Sequence, residues 1–260
     1  MSQADPSIDD LLAGLDGRPI TVGLSGAEVV RWGDRFVVKS AASTWDRGLD
    51  AEAERLRWLA TTPLASTVAS VVAFEAEPPV ERLVTAALPG GDLTVLQAQG
   101  VEPRLLARRF GRHLRQLHDT LDPASCPFPA PLETRLAAAG RRVAEGAVDT
   151  DDFEPVFAGR AAEDLLAELH DTRPDTEDLV VAHGDWCFPN VLLDGDAWSM
   201  CDLAGLGVSC RWYDLAIAAR STEHNVGAAV VADFWAGYGL APEDVDHDRA
   251  RWYLLLDELQ

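Results

Sequence analysis

The stretch His183-Gly184-Asp185-Trp186-Cys187-Phe188-Pro189-Asn190, followed by Asp202, constrains this chain more than any other. An acid lies five positions before an amide, and a second acid follows one short hairpin later. Residues 178–182 form a short apolar run entering the motif, as a buried strand would. Residues 190–194 read as a second strand, Gly195-Asp196 as a two-residue turn, and residues 197–201 as the returning strand. Closing that turn sets Asn190 roughly opposite Cys201 and beside Asp202. Asp185, Asn190 and Asp202, distant in sequence, then converge.

Three oxygen-bearing side chains in that arrangement suit phosphoryl transfer, which needs positioning and charge neutralisation more than covalent chemistry. Magnesium takes oxygen ligands, few of them from protein, with phosphates and water completing the shell. Asn190 and Asp202 fit as its ligands, and Asp185 can accept a hydroxyl proton. The competing reading is that these Asp and Asn residues only build turns. His183 reads as a residue that bonds the backbone and shapes the loop.

With 260 residues, the chain is long enough for one large domain or two small lobes. Its net charge of −21 argues against a nucleic-acid partner and against anionic membranes. That charge permits a cationic ligand, although an acidic surface also serves solubility alone. No apolar run approaches the roughly 20 residues of a membrane span. The polar, acidic N-terminus lacks the features of a secretory signal, so a cytoplasmic location is expected. The four cysteines, Cys126, Cys187, Cys201 and Cys210, form no CxxC and read as reduced thiols.

Along the first third, residues 20–22 and 29–32 read as strands flanking a small loop that contains Gly23, Ser25 and Gly26. Small residues there let backbone N–H groups approach a phosphate, though a plain tight turn has the same composition. Gly33-Asp34 turns the chain into a strand over 35–39 that carries Lys39. Residues 50–61 have helical periodicity, with Glu52 on the apolar face. An acid on a buried face needs a partner, and Lys39 is the nearest candidate. Residues 68–73 and 82–86 read as further strands. Leu88-Pro89-Gly90-Gly91 breaks the pattern and marks a lobe boundary. Beyond it, helices are expected over 103–121, 132–145, 161–169, 213–220, 226–238 and 248–258. In the first of these, Leu105, Leu106, Phe110, Leu114 and Leu117 are expected to face inward. Its arginines read as a solvated face.

The chain resembles the aminoglycoside phosphotransferases, and among them the 3′-phosphotransferases. The resemblance runs from residues 52–62 through 126–128, 148–152 and the 183–190 motif to Cys201-Asp202-Leu203, Trp212-Tyr213-Asp214-Leu215-Ala216 and Leu254-Leu255-Leu256-Asp257-Glu258. It implies an α+β, bilobal, protein-kinase-like fold. Residues 1–88 would be a nucleotide-binding lobe with a small antiparallel sheet and one helix. Residues 89–260 would be a mostly helical catalytic and substrate-binding lobe, with ATP (or GTP) and Mg2+ held between the two.

The resemblance also implies roles. Asp185 would be the catalytic base, and Asn190 and Asp202 the metal ligands. Lys39 would hold the phosphates, steadied by Glu52, with Gly23, Ser25 and Gly26 over the triphosphate. Backbone at Ala86 and Leu88 would hold the adenine. His183 and Asp214 would be structural. Glu154, Arg220, Asp257, Glu258 and Gln260 would form the region that takes a small cationic antibiotic. The implied reaction is phosphorylation of an aminoglycoside hydroxyl, the 3′-hydroxyl, which inactivates the drug. The implied assembly is a monomer or weak dimer.

Five positions depart from the family pattern: Gly205 where an arginine is usual, His224 and Asn225 in place of acids, Cys210 in place of an acid, and Gln260 in place of an aromatic. Two other functions therefore stay open. One is a kinase of a different antibiotic, a nucleoside or an amino-alcohol metabolite. The other is a nucleotide-binding pseudokinase.

Overall fold

A computed structural model describes residues 7–20, 27–43 and 48–260. In chain order the elements begin with α1 (Ile8–Leu12), β1 (Gly17–Pro19), β2 (Glu28–Trp32), β3 (Phe36–Ala42) and α2 (Leu49–Leu59). They continue with β4 (Val71–Glu77), β5 (Val80–Ala86), β6 (Gly91–Asp92), α3 (Leu93–Ala98), α4 (Pro103–Thr120), α5 (Leu132–Glu145) and α6 (Ala162–Asp171). Then come β7 (Leu179–Ala182), β8 (Val191–Asp194), β9 (Ala197–Met200), β10 (Gly207–Cys210), α7 (Arg211–Val226), α8 (Val231–Tyr238) and α9 (His247–Glu258). Two compact units result: Met1–Leu93 with Pro189–Gly205, and Thr94–Phe188 with Leu206–Gln260. Among the described residues no helix is long and apolar enough to cross a membrane.

The first unit is built on an antiparallel sheet in the order β1-β2-β3-β5-β4. Phe36, Val38 and Val84 pack with Ile8 of α1. Helix α2 buries Leu49, Glu52, Ala53, Leu56 and Leu59, the 3–4 spacing that the sequence displays. A second sheet, β6-β8-β9, belongs to the same unit. Its β8–β9 hairpin has the expected register, Val191 opposite Met200 and Asp194 opposite Ala197. Gly90, at φ +82°, lies so close to the Leu193 carbonyl that a Cβ would collide with it. The break in the sequence at residues 88–91 is thus a backbone approach that only glycine permits.

Several boundaries differ from those the sequence suggests. Strand β1 lies at Gly17–Pro19, ahead of the expected 20–22, although the Ile20 N–H still bonds the Val29 carbonyl at 2.8 Å. Strand β4 starts at Val71 because Ala65–Thr67 form a 3-10 turn. Strand β5 begins at Val80, where Val80 and Glu81 alternate exposed and half-buried and so lack a continuous apolar signal. Helix α7 runs on to Val226 because Ser221 and Thr222 are buried, although Ser, Thr and Asn weaken its propensity. Helix α8 starts at Val231, after Gly227 at φ +93° and a 3-10 turn. Elements as short as α1, α3, β6 and β10 are too brief to carry a period.

In the second unit, α4 buries Leu106, Phe110, Leu114 and Leu117 completely. Leu105 is instead 48% exposed and shares the arginine face, since successive residues turn about 100° around a helix. Helix α4 crosses α8 at two glycines. A Cβ on Gly111 would strike the Phe234 carbonyl, and one on Gly237 the Arg108 carbonyl. The backbones therefore touch, which brings Tyr238 of α8 to His118 of α4. Strand β7 pairs with β10, Ala182 opposite Gly207. Residue 210 is fully buried at the end of β10, so an acid there would need a buried partner.

Candidate active site

Strand β7 delivers the chain into a loop whose backbone is fixed from behind. Asp214, on the first turn of α7, accepts the His183 N–H at 2.7 Å and the Gly184 N–H at 2.8 Å. Gly184 takes φ +86°, a left-handed bend that glycine adopts without strain. The Asp185 N–H points at His183 Nδ1 at 3.3 Å, so His183 shapes the loop by accepting from the backbone. Trp186 and Phe188 are fully buried and pack on Phe110, with ring centroids at 5.7 and 4.8 Å. The Phe188 N–H bonds Ser221 Oγ at 2.9 Å. Asp185 is half-buried between these anchors. Burial works against the charge on Asp214, but the bonds from His118 and the loop amides more than offset it and hold its carboxyl below the usual range.

In the first unit, the Cys201 N–H bonds the Asn190 carbonyl at 3.0 Å, which sets Asn190 beside Asp202 as the hairpin register requires. Asp202 takes φ +58°, the left-handed region that Asp tolerates better than most residues. Lys39 Nζ lies 2.9 Å from Glu52 Oε2 and 2.8 Å from Asp202 Oδ1. Burial alone would lower its pKa, yet the two carboxylates raise it to about 12. Lys39 is therefore a fixed cation clamped between α2 and the end of the hairpin. Asn190 and Asp202 present hard oxygen donors. No group of three or more His, Cys, Asp or Glu ligands occurs among the described residues. A donor set this sparse fits a magnesium ion that takes most of its shell from phosphate and water.

At the end of β5, the Ala86 N–H donates to the Ser70 carbonyl and the Ala87 N–H to the Arg35 carbonyl, at 2.9 and 2.8 Å. The Leu88 carbonyl accepts from Arg31 Nη1 at 3.5 Å. Gly23, Ser25 and Gly26 lie outside the described residues.

The second unit also gathers the acids near the C-terminus. Arg220 contacts Asp257 at 2.8 Å, Glu258 at 3.2 Å and Glu154 at 3.8 Å. His224 Nε2 lies 3.1 Å from Glu154. The Tyr213 hydroxyl donates to Asp257 at 2.8 Å and feels the charge of Asp185, which links this cluster to the loop. Gln260 joins at the edge through Arg135, at 3.5 Å. Three carboxylates meet one arginine, so the cluster keeps an excess of negative charge. Asn225 turns away and bonds the Ser221 carbonyl. Gly205 is exposed.

The structure thus brings together Lys39, Glu52, Asn190 and Asp202 in one unit. In the other it brings together His183, Asp185 and Asp214, with Glu154, Arg220, Asp257 and Glu258 as a neighbouring group. Sequence reasoning missed His118, Tyr238 and Ser221, which hold the loop from behind. Their only signal was a polar residue on an otherwise apolar helix face.

Residues 16–253 match the phosphotransferase enzyme family model. A crystal structure of an aminoglycoside-3′-phosphotransferase of type VIII superposes with TM-score 0.80 at 35% identity, covering 95% of this chain and 94% of that one. The streptomycin 3″-kinase of Streptomyces griseus is also 35% identical, over 95% of this chain and 93% of its own. The aminoglycoside phosphotransferase APH(3″)-Id of Streptomyces rimosus, solved with ADP and streptomycin, superposes with TM-score 0.76 at 27% identity, covering 94% and 92%. The bilobal, kinase-like α+β architecture is shared with these proteins, and the chain belongs to the phosphotransferase enzyme family.

Proposed function

We propose that this protein transfers the γ-phosphoryl group of ATP to a hydroxyl of an aminoglycoside, the 3′-hydroxyl, and so inactivates the antibiotic. The observation that carries the proposal is the pinned loop at residues 183–190. In a chain of this family, it presents Asp185 from a backbone held by a buried carboxylate. Asp185 orients the acceptor hydroxyl and takes its proton. Lys39, steadied by Glu52, binds the phosphates. Asn190 and Asp202 would hold magnesium, which neutralises charge on the phosphates when bound. Residues 1–88 act as the nucleotide-binding lobe, with the Ala86 carbonyl and Leu88 on the adenine. Residues 89–260 act as the catalytic and substrate-binding lobe. The β8–β9 hairpin packs with the first unit and so shares a body with Lys39.

Glu154, Asp257 and Glu258 supply the negative charge that recognises substrate ammonium groups by charge-assisted hydrogen bonds. A relative solved with ADP and streptomycin supports both a nucleotide and an aminoglycoside. A second reading places the reaction on a 3″-hydroxyl, because the streptomycin 3″-kinase is as similar as the 3′ structure.

The test is nucleotide turnover against aminoglycosides with and without a 3′-hydroxyl, and against streptomycin, at saturating ATP and magnesium. Turnover confined to 3′-hydroxyl compounds supports the proposal. Turnover with streptomycin alone selects the 3″ reading. Failure of every aminoglycoside, with ATP still bound, rejects both.

A further inference from the structure

Behind the loop of Asp185 runs a line of buried polar groups on three helices. His118 Nε2 is 3.0 Å from Asp214 Oδ2, and both side chains are fully buried. His118 Nδ1 is 2.9 Å from the Tyr238 hydroxyl. Arg211 Nη1 donates to the same hydroxyl at 3.1 Å. Arg211 is held in turn by Asp178, through Nη2 at 3.1 Å and through its own N–H on the Asp178 carbonyl at 2.9 Å. Asp178 immediately precedes β7, which leads back to His183. The connections close a ring that runs from Asp178 through β7, the loop, Asp214, His118, Tyr238 and Arg211 to Asp178 again.

We infer that His118, Tyr238 and Arg211 are positioning residues for Asp185, acting as a one-directional hydrogen-bond chain in which His118 is locked in its Nε2–H tautomer.

Counting donors and acceptors fixes the direction. A guanidinium only donates, so the Tyr238 oxygen accepts from Arg211. The tyrosine proton must then go to His118 Nδ1, because a buried hydroxyl proton needs an acceptor. Burial raises the Tyr238 pKa to about 12, so the phenol keeps its proton. His118 donates from Nε2 to Asp214, which also takes the two loop amides. The opposite tautomer would aim a lone pair at a carboxylate. An imidazolium would turn a second N–H toward the Tyr238 oxygen and leave the phenol proton without an acceptor in the chain. Asp214 has three donors converging on it, and the one from His118 sets the carboxylate's orientation. That orientation sets where the His183 and Gly184 amides sit, and hence where Asp185 points. The Arg115 guanidinium lies 5.7 Å from the Tyr238 ring, on its face rather than at the hydroxyl, so it competes for neither proton.

Two measurements test this on the full-length protein. The first is long-range 1H–15N correlation of labelled histidine, which reads the tautomer directly and needs no substrate. Wild type is expected to show a pyridine-type Nδ1 and a pyrrole-type Nε2 for His118. Tyr238→Phe, which removes only the hydroxyl, should shift the His118 Nδ1 resonance while Nε2 stays pyrrole-type on Asp214, and should shift the His183 and Gly184 amides. A protonated Nδ1 in the wild type, or amides that do not move in Tyr238→Phe, overturns the inference. The second is kinetic and rests on the reading of Asp185 as the base. His118→Ala should lower kcat by about tenfold to a hundredfold with KM for ATP unchanged, the size expected of a small misplacement. His118→Gln, whose amide can donate where Nε2 did, should recover most of the loss. Equal losses in both variants, or none in His118→Ala, reject the positioning role. If no aminoglycoside turns over, the functional proposal fails while the tautomer measurement still decides the chain.

Discussion

The two acidic centres of this protein are fixed in opposite ways. Asp185 is positioned through its neighbours: their amides end on Asp214, and their side chains are core aromatics. Lys39 and Asp202 are positioned by their own charged ends, in an ion pair that Glu52 completes. The first arrangement holds the loop through buried groups, Asp214 and the aromatic core. The second must exchange partners, because the ammonium that meets Asp202 is the one proposed to meet phosphate. A residue that moves protons gains from rigidity. Groups that bind a charged nucleotide need counter-charge while it is away, since a lone buried charge is costly.

The largest break in this comparison is Asp185→Asn. It should lower kcat by about 10²–10⁴-fold, the usual contribution of a positioned general base. Nucleotide affinity and thermal stability should stay at wild-type levels, since the loop is held by other groups. Calorimetry and turnover check this together, and an unstable variant would show that Asp185 helps build the loop.

Asp214→Asn should destabilise the fold by about 3 kcal/mol, because an amide N–H would then face buried N–H donors. Denaturant titration measures it. The wild-type protein makes the same point through pH. The folded Asp214 carboxyl is held below its ordinary 3.8. The stability it contributes is present above that value and is lost as pH falls below it toward the folded one. The acid limb of the wild-type stability curve should therefore flatten in the variant.

Lys39→Ala should weaken nucleotide binding by about 2 kcal/mol, roughly thirtyfold, while leaving the loop amides unmoved. Equilibrium titration with ATP and magnesium reads the first effect, and amide shifts of residues 183–185 the second. Loop shifts as large as those at Glu52 would mean that the two centres are not independently fixed.

A last effect, on packing rather than on either centre, should come from Gly237→Ala. The added methyl meets the Arg108 backbone and forces α8 off α4, at about 1–3 kcal/mol. It should also lengthen the His118–Tyr238 bond, visible as a shift of the His118 Nδ1 resonance.

Much of the centre at Lys39 and Asp202 was legible in the sequence. A buried-face glutamate at residue 52 demanded a cation, and the preceding strand offered Lys39. The turn at residues 195–196 fixed the register that sets Asn190 beside Asp202. Both inferences are local: one rests on helical period, the other on a two-residue hairpin. The acids at residues 154, 257 and 258 were legible only as a resemblance, and nothing in the sequence foretold that Arg220 would contact all three. His118 looked like one polar residue on a helix, and Leu105 like one more core leucine.

The sequence alone determined the family, the alternation of sheet and helix, and which groups are proposed to react, because each depends on neighbours within a few residues. The tertiary structure decided how those groups are held. Gly111 and Gly237, 126 positions apart in the chain, let two backbones touch. Only that contact brings Tyr238 to His118. Close packing between distant helices has no periodic signature in either one, so the support behind Asp185 appears only when the chain is folded.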